Sequence, residues 1–359
     1  MAASKPFRFI VVILFIFSAN LFSQEDLNYL QKGNQKLESG NYKIAIKFYS
    51  SAIEINPSFA EAYYNRGSAY IEIEDYDLAV KDFSKSIEIN SKDANSYINR
   101  GICYFELKKY DLALADYDFA LNYDPADYVI YYNKGNLYDA MKKYDIAIEN
   151  YEIGIELNPK DLDALNNIGN VYRKLKQFDS AYYHYNTAIS YNPDEYEAYF
   201  NRANLNKYLK KYSEAESDYY KVISLNPDFA AAFNNRGSLY LSRKEYDKAI
   251  KDFTEAVKLN DDYAFAYNNR GYAYSLINEN DKAIKDFEKS ISIKPDNSSA
   301  YKNRGLMYFN LYKYTEAIKD WESAIKLDYK LFRELNPKIK DANLKLESAV
   351  GSGNTKKKK

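Results

Sequence analysis

The sequence predicts an all-α fold, an α-solenoid in which two-helix repeats are stacked in tandem. The first observation is a period, since Tyr267–Gly271 matches Phe233–Gly237 with an offset of 34 residues, and the same step leads on to Tyr301–Gly305. The second is that each copy holds two segments whose apolar residues recur at helical spacings of three, four and seven. A fixed period of this length indicates a stack of supersecondary elements instead of one globular core.

The chain opens with the pattern of an export signal. Lys5 and Arg8 precede the apolar run Phe9–Phe17, and a more mixed segment follows up to Ser23. A charged region, an apolar region and a cleavage region in this order are typical of a signal peptide. The apolar stretch is short for a bilayer span, which needs about 20 residues. We therefore expect residues 1–23 to be removed and the protein to be periplasmic or secreted, with an uncleaved anchor as the alternative.

Nine repeats of 34 residues then follow without insertion. Several end in Asn-Pro, as at Asn56–Pro57, and proline cannot continue a helix, so the second helix of the repeat should stop there. An acidic residue after the turn, such as Asp247, can cap the second helix or favour its start. The repeats span 26–59, 60–93, 94–127, 128–161, 162–195, 196–229, 230–263, 264–297 and 298–331.

Three columns of the repeat have a packing explanation. The eighth residue is glycine in eight repeats, the twentieth is alanine in all nine, and the twenty-fourth is always aromatic; in the fourth repeat they are Gly135, Ala147 and Tyr151. Glycine inside a helix costs about 1 kcal/mol relative to alanine, so eight such choices imply a steric reason. We expect the two helices of a repeat to approach too closely at the glycine for a side chain, beside the large ring.

This frame resembles the tetratricopeptide repeat, and the resemblance covers 26–331. The sixth repeat departs from it with Ala203 and Asn206 where the others have glycine and mostly tyrosine. The resemblance implies a right-handed superhelix whose first helices line a concave groove, binding of a protein or peptide, and no intrinsic catalysis. In the third repeat the residues that carry the resemblance are Tyr97, Gly101, Tyr104, Ala113, Tyr117, Ala120 and Pro125.

After the array, residues 332–350 are expected to hold a capping helix that starts at Asn336–Pro337 and covers the last repeat. Its apolar stripe should cover the exposed face of the ninth repeat. Residues 351–359, which end in four lysines, are expected to be a disordered basic tail. The stripe consists of Ile339, Ala342, Leu346, Ala349 and Val350.

The composition argues against catalytic, metal and nucleic-acid sites. The formal charge is −1 with 101 charged side chains, so there is no strong basic field for nucleic acid. His184 is the only histidine and Cys103 the only cysteine, which leaves no metal-ligand spacing. We expect no enzyme activity, cofactor or metal.

The column with a possible binding role is the sixth residue of each repeat. Asparagine is a mediocre helix former, so its recurrence is not explained by propensity. The resemblance implies that this position faces the groove, where amides could hold the backbone of an extended peptide. Alternatively, each amide bonds to a neighbouring helix or asparagine and only sets the superhelical pitch. The column consists of Asn65, Asn99, Asn133, Asn167, Asn201, Asn235, Asn269 and Asn303, and aromatic fifth residues at Tyr64, Tyr132 and Phe200 could seat partner side chains.

The expected function is therefore a non-catalytic scaffold of the cell envelope or secreted space that holds a partner protein or peptide in its groove. Two alternatives stay open. The array could be a structural protein that associates with itself end to end, or it could be the adaptor arm of a multi-protein enzyme complex. A capped C-terminal face would favour the first function over end-to-end growth.

Overall fold

A computed structural model describes residues 24–355, with side chains for 24–348. These residues confirm the all-α solenoid of tandem helix pairs and contain no strand. They form two compact bodies, residues 24–193 and 194–355. Residues 1–23 lie outside the described part, so the export signal stays a prediction.

The N-terminal body contains five helix pairs. Each first helix packs on the second helix of its own repeat and also contacts the first helix of the next repeat. The first helices therefore form one row, whose open side we call the first-helix surface. The helices are α1 (Gln24–Glu38), α2 (Tyr42–Ile55), α3 (Ala60–Glu72), α4 (Tyr76–Ile89), α5 (Ala94–Glu106), α6 (Tyr110–Tyr123), α7 (Tyr128–Ala140), α8 (Tyr144–Leu157), α9 (Leu162–Lys174) and α10 (Phe178–Tyr191).

The C-terminal body contains four helix pairs and a last single helix. Its first helices contact one another in the same way. The helices are α11 (Tyr196–Tyr208), α12 (Tyr212–Leu225), α13 (Ala230–Ser242), α14 (Tyr246–Leu259), α15 (Ala264–Leu276), α16 (Asn280–Ile293), α17 (Ser298–Asn310), α18 (Tyr314–Leu327) and α19 (Phe332–Thr355).

The close approach expected at the glycine column is present. A Cβ atom built on Gly135 would lie 2.5 Å from Cε1 of Tyr151, which is the aromatic twenty-fourth residue on the second helix of the same repeat. Tyr151 is fully buried. The ring itself occupies the space that a side chain at the eighth position would need, so the two columns are parts of one contact.

The turn within each repeat has a conformation that we did not anticipate. In the fourth repeat Lys142 has a φ of 60°. Its N–H donates to the carbonyl of Asp139 at 2.9 Å, and that of Lys143 donates to Tyr138 at 2.8 Å. This pair of bonds is a Schellman motif, which usually has glycine at the left-handed position. Only the first repeat has glycine there; the left-handed residues are Gly40, Glu74, Lys108, Lys142, Lys176, Lys210, Lys244, Asn278 and Tyr312.

An ion pair joins the two helices of six repeats, and our sequence reasoning missed it. It links the seventh residue, arginine, to the twenty-third, aspartate, through two hydrogen bonds. Repeats without the arginine have a different residue at the twenty-third position as well, as with Ile168 and His184 in the fifth. The pairs are Arg66–Asp82, Arg100–Asp116, Arg202–Asp218, Arg236–Asp252, Arg270–Asp286 and Arg304–Asp320.

The expected start of the capping helix was wrong. α19 begins at Phe332 and not at Asn336–Pro337, so Pro337 lies inside the helix. The helix also continues to Thr355, which includes the first five residues of the segment expected to be disordered. Leu335, one turn into α19, is fully buried. Burial of this side chain favours the helical turn before Pro337 and offsets the backbone hydrogen bond that the proline removes.

Part of the predicted covering of the ninth repeat is present, while the side chains of Ala349 and Val350 lie outside the described residues. Leu335 and Ala342 of α19 pack with Ala317, Trp321 and Ala324 of α18 in one buried cluster, and Ile339 lies against it. The last repeat therefore does not leave this apolar face open. No helix among residues 24–355 has the length and apolar character to cross a membrane.

Candidate functional site

The asparagine column is bonded within the helix stack. Asn65 Nδ2 donates to Asn34 Oδ1 at 3.0 Å, which joins the first helix of the second repeat to that of the first repeat. Asn99 Nδ2 donates to the Tyr64 hydroxyl at 2.9 Å in the same direction. The amide N–H of the sixth residue thus donates to a side-chain oxygen of the preceding repeat.

The same bond recurs in the C-terminal body. Asn235 Nδ2 donates to Asn204 Oδ1 at 2.9 Å, and Asn269 Nδ2 donates to Asn234 Oδ1 at 2.9 Å. Asn303 Nδ2 donates to Oδ1 of Asn268, the fifth residue of the preceding repeat, at 3.0 Å. In each of these bonds the acceptor is the fifth or the ninth residue of the repeat before.

Ninth-position acceptors also receive a second hydrogen bond. Asn136 Oδ1 accepts from Asn167 Nδ2 at 2.9 Å and from the Tyr151 hydroxyl at 2.6 Å. The Asn34 and Asn204 oxygens accept likewise from the twenty-fourth residues of their repeats, Tyr49 and Tyr219. These triads link two first helices to a buried tyrosine. The contacts match the interpretation that the amides order neighbouring helices, and a role in ligand binding stays a prediction.

Asn133 is the exception in the column. Its Nδ2 atom is buried and has no hydrogen-bond partner. The preceding repeat has Ile98 at its fifth position and Ile102 at its ninth, so neither position offers an acceptor. The missing acceptor for Asn133 can be read from the sequence once the fifth and ninth residues are known to be the acceptors. The sequence alone does not show that these positions are the acceptors.

A cleft opens on the first-helix surface at this point. It lies among α3, α5, α7 and α9, and it brings together four of the predicted site residues: Tyr64, Asn99, Tyr132 and Asn133. Ile98 and Ile102 line the same cleft. The cleft therefore combines apolar side chains, tyrosines and one unsatisfied amide donor.

The other predicted residues lie outside this cleft. The ring centroid of Phe200 lies 5.0 Å from that of Phe229 and 6.2 Å from that of Tyr219. Phe200 therefore forms part of the packing of the C-terminal body. Asn201 is half-buried on α11.

Three carboxylates lie along the cleft, from Asp127, Asp161 and Asp163. Asp127 accepts a hydrogen bond from the backbone N–H of Val129 at 2.9 Å, and Asp161 accepts one from Ala164 at 3.1 Å, so both cap first helices. Burial raises the pKa of both carboxyl groups above the usual value, while these backbone bonds lower it in part.

The tyrosines of the cleft are also affected by burial. Burial raises the pKa of the Tyr132 hydroxyl well above its usual value, and the charges of Asp163 and Asp161 raise it further. The hydroxyl therefore stays protonated and serves as a donor or acceptor. No group of three or more His, Cys, Asp or Glu side chains that could hold a metal ion exists within residues 24–348.

Several solved structures are similar to parts of this chain. MamA is 25% identical over 45% of this chain and 94% of its own, with a TM-score of 0.42. YrrB, a TPR protein with an unusual peptide-binding site, is 29% identical over 52% of this chain and 96% of its own, with a TM-score of 0.40. The APC/C hetero-tetramer Cut9–Hcn1 has a chain that is 15% identical over 88% of this chain and 76% of its own, with a TM-score of 0.57, and it shows the fold alone.

Two family models match the sequence, while no curated protein matches it significantly. The model described as TPR repeat matches residues 33–73. The model described as tetratricopeptide repeat matches seven consecutive segments, 60–93, 94–127, 128–161, 162–195, 196–229, 230–263 and 264–297. These segments extend over more than half of the chain. The protein belongs to the tetratricopeptide repeat family.

Proposed function

We propose that this protein is a non-catalytic scaffold that binds an extended segment of a partner protein in the cleft around Asn133. Tetratricopeptide repeat proteins generally bind peptides or proteins and do not catalyse reactions, which supports this class of function. The cleft supplies the specific place on the chain, because it lies on the first-helix surface of the N-terminal body.

The unsatisfied donor of Asn133 is the observation that carries the proposal. A buried N–H group without an acceptor costs about 1–3 kcal/mol, and a ligand carbonyl at this position would remove that cost. A peptide backbone carries such a carbonyl at every residue. Ile98 and Ile102 lie in the same cleft and would contact an apolar side chain of the segment.

This proposal divides the asparagine column into two roles. Asn133 would contact the ligand directly. The bonded members, such as Asn99 and Asn167, would order the helices that frame the cleft. A ladder through all eight amides would have to replace the existing hydrogen bonds of the bonded members, so most of its gain in free energy would cancel.

Self-association end to end receives less support from the structure. α19 covers the apolar face of the ninth repeat through Leu335 and Ala342. A filament that grew by stacking on this face would first have to displace α19. Sedimentation of the purified chain should therefore give a mass that does not rise with concentration, and a steady rise would support the structural alternative.

The test of the binding proposal uses a phage-displayed library of random nonapeptides, selected on the full chain. The affinity of a selected peptide is then measured by fluorescence anisotropy for the wild type, Ile102→Asn and Ile102→Val. Asparagine at this position would give Asn133 the internal acceptor found in other repeats, so we expect at least about ten-fold weaker binding.

Ile102→Val is the matched control, since it keeps the position apolar and should change the affinity little. A second control, Asn303→Ala, alters a bonded amide in the C-terminal body. If the library yields no peptides above an immobilised blank, or if Ile102→Asn binds as well as the wild type, the proposal fails.

We also propose that the protein acts outside the cytoplasm. The support is the charged and apolar pattern at Lys5–Phe17 in the sequence. Amino-terminal sequencing of the chain purified from its native cells should find Gln24 as the first residue. An intact start at Met1 would contradict cleavage.

A further inference from the structure

The aspartates of the same cleft, Asp127, Asp161 and Asp163, indicate the charge of the ligand. We infer that the cleft selects a segment with a lysine or arginine side chain, which lies between the carboxylates and the tyrosine rings. The inference rests on the proposed function, because it concerns a peptide bound beside Asn133.

The first argument is the uncompensated negative charge of Asp127 and Asp161. Both are half-buried, and they line the cleft together with Asp163. Within the described residues no lysine or arginine forms an ion pair with Asp127 or Asp161. The backbone N–H bonds at the two helix starts offset only part of the lost hydration, and burial leaves the pKa of both groups raised. A cation from a ligand would supply the missing counter-charge.

The second argument is the aromatic surface beside these carboxylates. Tyr128 and Tyr132 line the cleft with the three aspartates. Burial raises the pKa of Tyr128, and the charges of Asp161, Asp127 and Asp163 raise it further. A tyrosine face attracts a cation, and it packs against the aliphatic stem of lysine or arginine.

The protein uses the same combination in its own interior. The Arg100 guanidinium lies 5.6 Å from the ring centroid of Tyr97 and 5.8 Å from that of Tyr104, while Asp116 holds it through two hydrogen bonds. The cleft presents Tyr128 and Tyr132 beside Asp127 and Asp161, and neither of these two carboxylates has a lysine or arginine ion-pair partner within residues 24–348. An acidic ligand residue would instead be repelled by three like charges.

The experiment repeats the nonapeptide selection on the full chain and sequences the bound clones. We expect lysine and arginine to be enriched at one position of the selected peptides. A synthetic peptide with lysine there should bind about ten-fold more tightly than the same peptide with glutamine, and the difference should shrink as salt is raised.

The matched variant is the double substitution Asp127→Asn and Asp161→Asn. Asparagine caps helices as well as aspartate does, so the helix starts should be kept while two charges are removed. The variant should bind the lysine and glutamine peptides within about two-fold of each other and should bind the glutamine peptide as the wild type does. Circular dichroism and a thermal melt check the fold.

The outcomes separate the two proposals. If peptides are selected and depend on Ile102 but show no basic preference, or if the double variant retains the full preference, the inference is overturned and the proposed function stands. If no peptides are selected at all, the proposed function fails and the inference fails with it.

Discussion

Arg236 and Asp252 join the two helices of the seventh repeat through a two-point ion pair. Arg236 Nε lies 2.7 Å from Asp252 Oδ2, and Nη2 lies 2.9 Å from Oδ1. The two side chains are only 10% and 7% exposed. The guanidinium also lies 4.4 Å from the ring centroid of Tyr220. This site holds a buried charge that depends on a single carboxylate.

Asp252→Ala should therefore destabilise the protein strongly. It leaves the arginine buried and unpaired, which typically costs about 3–5 kcal/mol. Urea denaturation followed by circular dichroism measures the change. The double variant Arg236→Ile with Asp252→Leu should recover most of the loss, because apolar residues of similar volume often replace a buried pair without cost. A double variant as unstable as Asp252→Ala would contradict this explanation.

Substitution of Gly135 tests the contact with Tyr151. Gly135→Leu should overpack the site and lower the free energy of unfolding by about 1–3 kcal/mol, since the ring occupies the space. The matched change is Ala203→Gly in the sixth repeat, where alanine already holds the equivalent position; it should lower the free energy of unfolding only by the helix-propensity cost of glycine, about 1 kcal/mol. A thermal melt that showed no loss for Gly135→Leu would reject the contact.

The left-handed turn residues offer a stabilising change. Lys142→Gly should raise the free energy of unfolding by about 1 kcal/mol, because the left-handed conformation is strained for a residue with a Cβ atom and not for glycine. Gly40→Ala in the first repeat is the reciprocal test: it has no neighbour within 4 Å of the added Cβ, so backbone strain alone should lower stability. Opposite shifts of the melting temperature are expected, and shifts of the same sign would be inconsistent with the observed φ.

His184 should make stability depend on pH. Burial lowers its pKa from 6.5 to about 4, its Nδ1 has no partner, and its ring lies against Tyr172 and Tyr183. The unfolded chain therefore takes up a proton near pH 6.5 while the folded chain does not, so stability should fall as pH is lowered from about 7 towards 4.

The measurement compares melting temperatures at pH 7 and pH 5 for the wild type and His184→Leu. The variant should lose less stability over this interval, because it has no imidazole to protonate in the unfolded state. Equal losses for the two proteins would show that the histidine does not carry the dependence.

Much of the fold could be predicted because each repeat contacts mainly its neighbours. The period, the helical spacings and the glycine, alanine and aromatic columns describe contacts within one repeat, such as Gly135 with Tyr151. The Arg–Asp pairing is also local. The sequence shows that the seventh and twenty-third residues change together, since Ile168 and His184 replace both members of the pair in the fifth repeat. The start of α19 was predicted wrongly because Asn336–Pro337 is a good local signal for a helix start. Burial of Leu335 against α18 stabilises an earlier start, and this contact exists only in the tertiary structure.

The candidate site was predictable only in part. The sequence by itself determined that asparagine recurs at the sixth position, that Tyr64 and Tyr132 are beside it, and that the helices alternate with a period of 34 residues. Only the tertiary structure decided which oxygen each amide meets, and hence that Asn133 alone faces two isoleucines. The physical reason is that a hydrogen bond between repeats depends on atomic positions in two helices about 34 residues apart, and periodicity specifies the helices but not those positions.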